Sequence, residues 1–255
     1  MSKILILDIE TAPNIAYVWG AWKQNIGKNQ WVQKSHIMSF AAKWLGTDEI
    51  FYTENRKAND KKIVKDLFAL LDEADVVVAH NGDRFDLPVI LGRGLVHGLT
   101  PPSPYHTVDT CRVASRRFRF SNNSLAVISE ELGVAAKGSH AKYPGFELWL
   151  ACLRGEDEAW KEMEVYNIQD VDTLEAVYLA MRPYMNQHPN VAPETTAEGK
   201  TLCPKCGSGN IQYRGYYYTK AGMCYRRFKC LDCGGWGRER FSDKDRIVNS
   251  GRNAL

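Results

Sequence analysis

The chain has 255 residues, 44% hydrophobic and 25% charged, which suits a folded protein with one substantial domain and a small second one. No apolar run approaches the roughly 18 residues that cross a bilayer, and Met1-Ser2-Lys3 leads into an apolar run too short for a signal peptide, so a cytoplasmic location and no membrane partner are expected. The net charge of +3 is unevenly distributed: residues 200–255 hold 12 Lys/Arg against 4 Asp/Glu, and the first 199 hold 21 against 26. An acidic body with a basic tail suggests cation-binding carboxylates in the one and a polyanionic partner for the other.

Ile4 to Leu7 form an apolar strand that ends in Asp8-Ile9-Glu10-Thr11. Alternation along a strand puts Asp8 and Glu10 on one face, roughly 7 Å apart, where they repel unless a cation lies between them. Alone, this pair more often means a strand running out into water. A polar, Trp-containing segment follows from Pro13 to Ser35. Ile37 to Leu45 and Glu49 to Thr53 are expected as strands, joined by hairpin chemistry at Gly46-Thr47-Asp48. Ile63, Val64, Leu67, Leu70 and Leu71 predict a helix over Asn59 to Ala74, capped by Asn59 or Asp60. Val76 to Ala79 suits a buried parallel strand. A helix is expected from Arg84 to His97 with Pro88 in its first turn, a strand at Thr107 to Thr110, and helices at Ser124 to Leu132 and Glu156 to Arg182. This order describes an α/β domain with a mixed sheet. The proline-rich stretch from Pro183 to Lys200 is expected to be a linker.

Two more acidic stations follow. His80-Asn81-Gly82-Asp83-Arg84-Phe85-Asp86 lies where a buried strand gives way to a helix, a common place for ligand sites, and Asp86 there could equally complement the helix dipole. Tyr166 and Asp170, at i and i+4 of a long helix, share a face, while Asp172 points roughly away.

Asp8-Ile9-Glu10-Thr11, Asn81-Gly82-x-x-Phe85-Asp86 and Tyr166-x-x-x-Asp170, in this order, resemble the three motifs of the DnaQ-like 3′–5′ exonucleases. The second motif is most similar to that of the proofreading domain of family B DNA polymerases. Tyrosine four residues before Asp170 matches the DEDDy form; the histidine variant would need His at Val165. The resemblance covers residues 1–182 and implies a ribonuclease H-like fold, a five-stranded mixed sheet flanked by helices. It also implies that Asp8, Glu10, Asp86 and Asp170 hold two Mg²⁺ or Mn²⁺ ions, hard cations suited to carboxylate oxygens. Tyr166, with an ordinary pKa near 10, would orient the attacking water rather than act as a base. Thr11, Asn81 and Phe85 are expected near the terminal nucleotide, although Phe85 suits a core position as well. Lys137 and His140 read as a solvated loop.

Four of the seven cysteines form two Cys-x-x-Cys pairs, Cys203/Cys206 and Cys230/Cys233, each followed by glycine. In a reducing compartment such pairs suggest metal rather than disulfides. They resemble a zinc ribbon, which implies one structural Zn²⁺ in a closed four-thiolate site within residues 201–255. Cys111, Cys152 and Cys224 are expected to be plain thiols. Between the pairs, Arg214, Arg226, Arg227 and Lys229 alternate with tyrosines and Phe228, a pattern suited to phosphates and stacked bases.

Together these residues predict a metal-dependent 3′–5′ exonuclease acting on nucleic acid, DNA favoured over RNA, with the ribbon contacting the strand. Two alternatives share the fold, a structure-selective endonuclease and a catalytically silent binding module. The complete set of carboxylates and tyrosine weighs against the silent module.

Overall fold

The computed structural model describes residues 2–134, 142–192 and 200–244; Lys137 and His140 lie outside these. The chain divides into two units, Lys3–Tyr178 and Met1–Ser2 with Leu179–Leu255. In chain order the first unit holds β1 (Ile4–Thr11), a small two-stranded ribbon of β2 (Ile15–Ala16) and β3 (Trp31–Gln33), then β4 (Ile37–Trp44), β5 (Ile50–Glu54) and α1 (Lys61–Glu73). There follow β6 (Val76–Ala79), α2 (Asp86–Val96), β7 (His106–Asp109), α3 (Thr110–Arg117), α4 (Leu125–Leu132), α5 (Glu147–Leu153) and α6 (Asp157–Met181). The five-stranded sheet runs β5-β4-β1-β6-β7, with the β4 and β5 pairings antiparallel and the β6 and β7 pairings parallel. This is the expected mixed sheet of the ribonuclease H-like class.

Strand β1 is the centre of the sheet, and its two edges are used unequally. Against β4 it pairs from Leu5–Trp44 to Thr11–Ile37. Against β6 it pairs only through Ile4–Val76, Leu5–Val77 and Ile6–Val78. Beyond Ile6 that edge is free to receive side chains. Alternation sends Leu5, Leu7 and Ile9 into a core with Phe40, Ala42 and the apolar faces of α1 and α2. Asp8 and Glu10 therefore face the opposite side. There Met38 and Ala12 pack with Leu148 and Ala151 of α5 and with Ala159, Trp160 and Met163 of α6. Each buried large aliphatic side chain contributes about 1.5–3 kcal/mol, so two helical layers clamp β1 firmly.

Two helices carry little sequence signal. In α3 only Thr110 and Ala114 are buried, and the helix starts because Asp109 accepts a hydrogen bond from the Arg112 amide. α5 has seven residues, too few for a clear period. Asp157 opens α6 and pairs with Arg56, while Asp172 and Glu175 both bind the nearly buried Lys43 ammonium at 3.0 and 2.8 Å.

In the second unit, β8 (Ile211–Tyr218), β9 (Cys224–Cys230) and β10 (Trp236–Arg238) form an antiparallel sheet in the order β10-β9-β8. Residues 183–192 belong to the same unit. Lys205 Nζ donates to the Pro183 carbonyl, and the Val191 amide donates to the Pro204 carbonyl (2.8 Å). Among the described residues, no helix is long and apolar enough to cross a membrane.

Asp60 ties three elements of the first unit together. Its fully buried carboxylate accepts from the Ile37 amide (3.0 Å), Arg93 Nε (2.8 Å) and a second Arg93 nitrogen (2.6 Å), and it contacts His97 Nε2 (2.6 Å). Burial alone would raise its pKa, but the hydrogen bonds from Arg93, His97 and Ile37 outweigh it and hold the group below the usual aspartate value. Its folded pKa thus lies below its unfolded one, so its contribution is full above about pH 4 and is lost as pH falls through the folded value. Asp60→Ala should cost about 3 kcal/mol in urea denaturation at pH 7, and its deficit from wild type should shrink steadily below about pH 4. A deficit independent of pH would contradict the charged network.

Candidate metal centre and nucleic-acid interface

Carboxylate oxygens of Asp8, Glu10 and Asp170 lie within 4.8 Å of one another. Asp8 and Glu10 arrive on the same face of β1, and Asp170 reaches them from α6 and is buried. Three acids so close repel at neutral pH, and an all-oxygen, carboxylate donor set is what a hard divalent cation requires. Neighbours fix the individual side chains. Asn167 is fully buried; its Nδ2 donates to Asp8 Oδ2 (2.7 Å) and its Oδ1 accepts from Ser39 Oγ (3.1 Å). Trp149 Nε1 on α5 donates to Glu10 Oε2 (3.1 Å), and its ring stands edge-on to Tyr166 with centroids 5.8 Å apart.

Tyr166 lies beside all three acids. Burial and the charges of Asp170, Glu10 and Asp8 push its pKa upward, and a hydrogen bond to Asp170 acts in the same direction. In this arrangement its hydroxyl holds its proton more firmly than an ordinary tyrosine does.

Asp86 takes a different position from the other three acids. It is buried, and its Oδ1 accepts from the Ile9 amide at 3.1 Å. β6 ends at Ala79 and pairs with β1 only as far as Ile6, so the Ile9 N–H on that edge has no strand opposite it, and Asp86 at the start of α2 satisfies it. Asp86 is not in the group of oxygens within 4.8 Å among the described residues. Burial pushes its carboxyl up to about 7 against the lowering effect of the Ile9 amide. The loop before it is tightly built. Asn81 adopts a left-handed φ of 64°, its amide donates to Asp109 Oδ1 (3.0 Å), and a Cβ on Gly82 would meet that of Ala79 at 2.3 Å. His80 bridges Thr110 Oγ1 and the Asn123 carbonyl, both at 2.8 Å. Asn81 and Phe85 are both exposed, so Phe85 is not a core residue. Thr11 is half-buried where the β1–β4 register shifts.

The four sulfurs of Cys203, Cys206, Cys230 and Cys233 also lie within 4.8 Å of one another. The Cys203–Cys233 and Cys206–Cys230 separations are 3.7 and 3.6 Å, far from a disulfide and close to the ~3.8 Å edge of a tetrahedron with metal–sulfur bonds near 2.3 Å. Gly207 and Gly234 both sit at φ +74°, which lets each turn fold its pair inward. Cys152 and Cys224 are buried thiols, and Cys111 is half-buried.

The ribbon sheet sorts the four expected basic contacts. Arg226 shares a face with buried Phe228, stacks on Tyr213 at 3.8 Å and approaches Glu239 at 3.8 Å. On the other face, Arg227 lies over Trp236 (5.1 Å) and Arg238 over Tyr225 (3.7 Å), with Lys229 in the same alternation. Arg214 contributes its carbonyl to Arg227 Nε, and its guanidinium holds Gln212 Oε1.

Residues 5–182 match the RNase_H_2 model of the RNase H superfamily. The chain belongs to the RNase H superfamily. A search among curated protein sequences returned no match. Among solved structures, the family B DNA polymerase from the hyperthermophilic archaeon Pyrobaculum calidifontis is similar in fold, with a TM-score of 0.55 and 14% identity. That match covers 72% of this chain and 25% of the polymerase, so this RNase H superfamily member spans about a quarter of it. Membership in the superfamily supports nuclease activity in general. Sequence reasoning misses Asn167 and Trp149, although Asn167 directly follows Tyr166 in the third motif.

Asn167→Ala removes the donor that holds Asp8 and leaves Ser39 unpaired. We expect a stability loss of about 1–2 kcal/mol and roughly fivefold or more weaker Mn²⁺ binding by calorimetry. Unchanged Mn²⁺ affinity would confine Asn167 to a packing role.

Proposed function

We propose that the protein is a metal-dependent 3′–5′ exonuclease that shortens single-stranded DNA from its 3′ end, with the cysteine-bearing unit contacting the strand. The convergence of Asp8, Glu10 and Asp170 beside Tyr166 carries this proposal. Their order and spacing resemble the DEDDy exonucleases, and superfamily membership supports a phosphodiester-cleaving site. Asp8, Glu10 and Asp170, joined by Asp86, would hold two Mg²⁺ or Mn²⁺ ions. Bound there, such a pair supplies a water of lowered pKa and stabilises charge on the leaving 3′ oxygen.

The chain's own groups then do the positioning. Tyr166 is assigned to orienting the attacking water by hydrogen bond and does not remove a proton from it. Trp149 fixes the Glu10 carboxylate, and Asn167 fixes that of Asp8. Thr11, Asn81 and the exposed Phe85 ring are assigned to the terminal nucleotide. The four cysteines would hold one Zn²⁺ in a closed, structural site. Arg214, Arg227 and Lys229 are assigned to strand contacts, and Arg226 supports the ribbon from its other face. The fold shared with a DNA polymerase favours DNA over RNA, and metal-suited thiols favour a cytoplasmic location. The domain boundaries proposed are 1–182 for the exonuclease, 183–200 for the connection and 201–255 for the ribbon.

The test is digestion of 5′-labelled linear DNA and RNA, with a circular single strand alongside, in Mg²⁺ and Mn²⁺. The wild type should produce a ladder shortened from the 3′ end and leave the circle intact. Asp8→Ala should be at least about a thousandfold slower, and Tyr166→Phe should lower kcat about 10- to 100-fold without changing Mn²⁺ affinity. Cutting of the circle, or an Asp8→Ala protein as active as wild type, would overturn the proposal.

A further inference from the structure

Strand β1 leaves the carboxylate cluster at Thr11, and the chain rejoins the sheet only at Ile37. The segment between is an arm with no core: none of residues 13–35 is buried. Hydrogen bonds hold it instead. The Ala12 amide donates to the His36 carbonyl (2.9 Å), the Ser35 amide to Asn14 Oδ1 (2.8 Å), and the Tyr17 amide to the Gln30 carbonyl (2.9 Å). The Gln30 side chain closes the tip by donating to the Tyr17 carbonyl (2.8 Å) and accepting from the Gly27 amide (2.6 Å).

The arm's large rings are turned into water. Tyr17 is 77% exposed, Trp22 86% and Trp19 99%. Lys23, Lys28 and Lys34 follow on the same arm, and there is no Asp or Glu from residue 12 to 47, in a body whose first 199 residues are acidic overall. Apolar surface left exposed in this way marks an interaction site. A protein partner of ordinary kind would meet a patch whose centre is depleted of charge. Here exposed rings and lysines share one arm that holds no acid, which suits a flexible polyanion carrying flat groups. Unpaired bases stack on rings without regard to sequence, and lysines neutralise the phosphates between them.

We infer that the arm, residues 13–35, is a stacking platform for the unpaired bases of the single strand whose 3′ end enters the carboxylate cluster, with Trp19, Trp22 and Tyr17 as the stacking rings. It rests on the proposed nuclease function for the direction of that strand. The arm leaves β1 at its Thr11 end, so it is joined directly to the strand that carries Asp8 and Glu10.

The test uses the full-length protein and fluorescein-labelled 12-nucleotide oligo(dT) and oligo(U) with phosphorothioate ends, so that binding is read by anisotropy without cleavage. Trp19→Ala/Trp22→Ala should weaken binding of the 12-mers about tenfold or more and a dinucleotide far less. Trp19→Phe/Trp22→Phe should retain most of the affinity, because the rings remain. Neutralising Lys23, Lys28 and Lys34 together should reduce the slope of log affinity against log salt by about 2. An alanine pair that binds the 12-mers within twofold of wild type overturns the inference. So does sedimentation showing a wild-type dimer that the alanine pair dissociates while strand affinity stays unchanged, since the arm would then meet a second copy. Absence of metal-dependent digestion by wild type, with the binding results as expected, would remove the nuclease proposal and leave the platform standing.

Discussion

At the end of β1, three carboxylates are held with their oxygens within 4.8 Å, and the rest of the first unit is arranged to withstand that crowding. Two unit charges at about 4 Å repel by about 1 kcal/mol even in water, and by more where solvent is partly excluded. Free side chains would turn apart. Here they cannot, because Leu5, Leu7 and Ile9 anchor β1 in one core while α5 and α6 pack against the other face. Asn167 and Trp149 then grip Asp8 and Glu10 individually. Packing free energy is thus converted into a concentrated negative charge that favours cations.

The same economy of pairing explains Asp86. β1 outruns β6, and the amide left over at Ile9 is capped by an acid from the start of α2. A carboxyl driven up by burial is one that a nearby cation would return to its charged form. Beneath it, Asp109 caps α3 and accepts from the loop amides of Asn81 and Asp83, so the second motif is built from two directions.

Much of this is legible in the sequence because the signals are local. The apolar run ending in Asp8, the buried strand Val76–Ala79 and the spacing of Tyr166 and Asp170 each follow from a short stretch of neighbouring residues. What is not legible depends on distant partners. Asn167 meets Ser39 across 128 residues, and Trp149 reaches Glu10 across 139. The separate position of Asp86 follows from a mismatch in strand lengths, and α3 from a cap rather than an apolar stripe. In the ribbon, the register shift between Tyr213 and Tyr216 takes Arg214 and Gly215 out of the β8–β9 pairing, and composition carries no trace of it. The arm is visible in the sequence only as a polar, Trp-containing stretch; its lack of any core is a property of the fold.

The central claim is that these acids form one two-metal site, and Asp86 is its critical member. Anomalous diffraction from crystals soaked with Mn²⁺ and a 5′-mononucleotide measures this directly. The account predicts two manganese peaks about 4 Å apart, held among Asp8, Glu10, Asp170 and Asp86. A single peak among Asp8, Glu10 and Asp170, with no ion near Asp86, would contradict it.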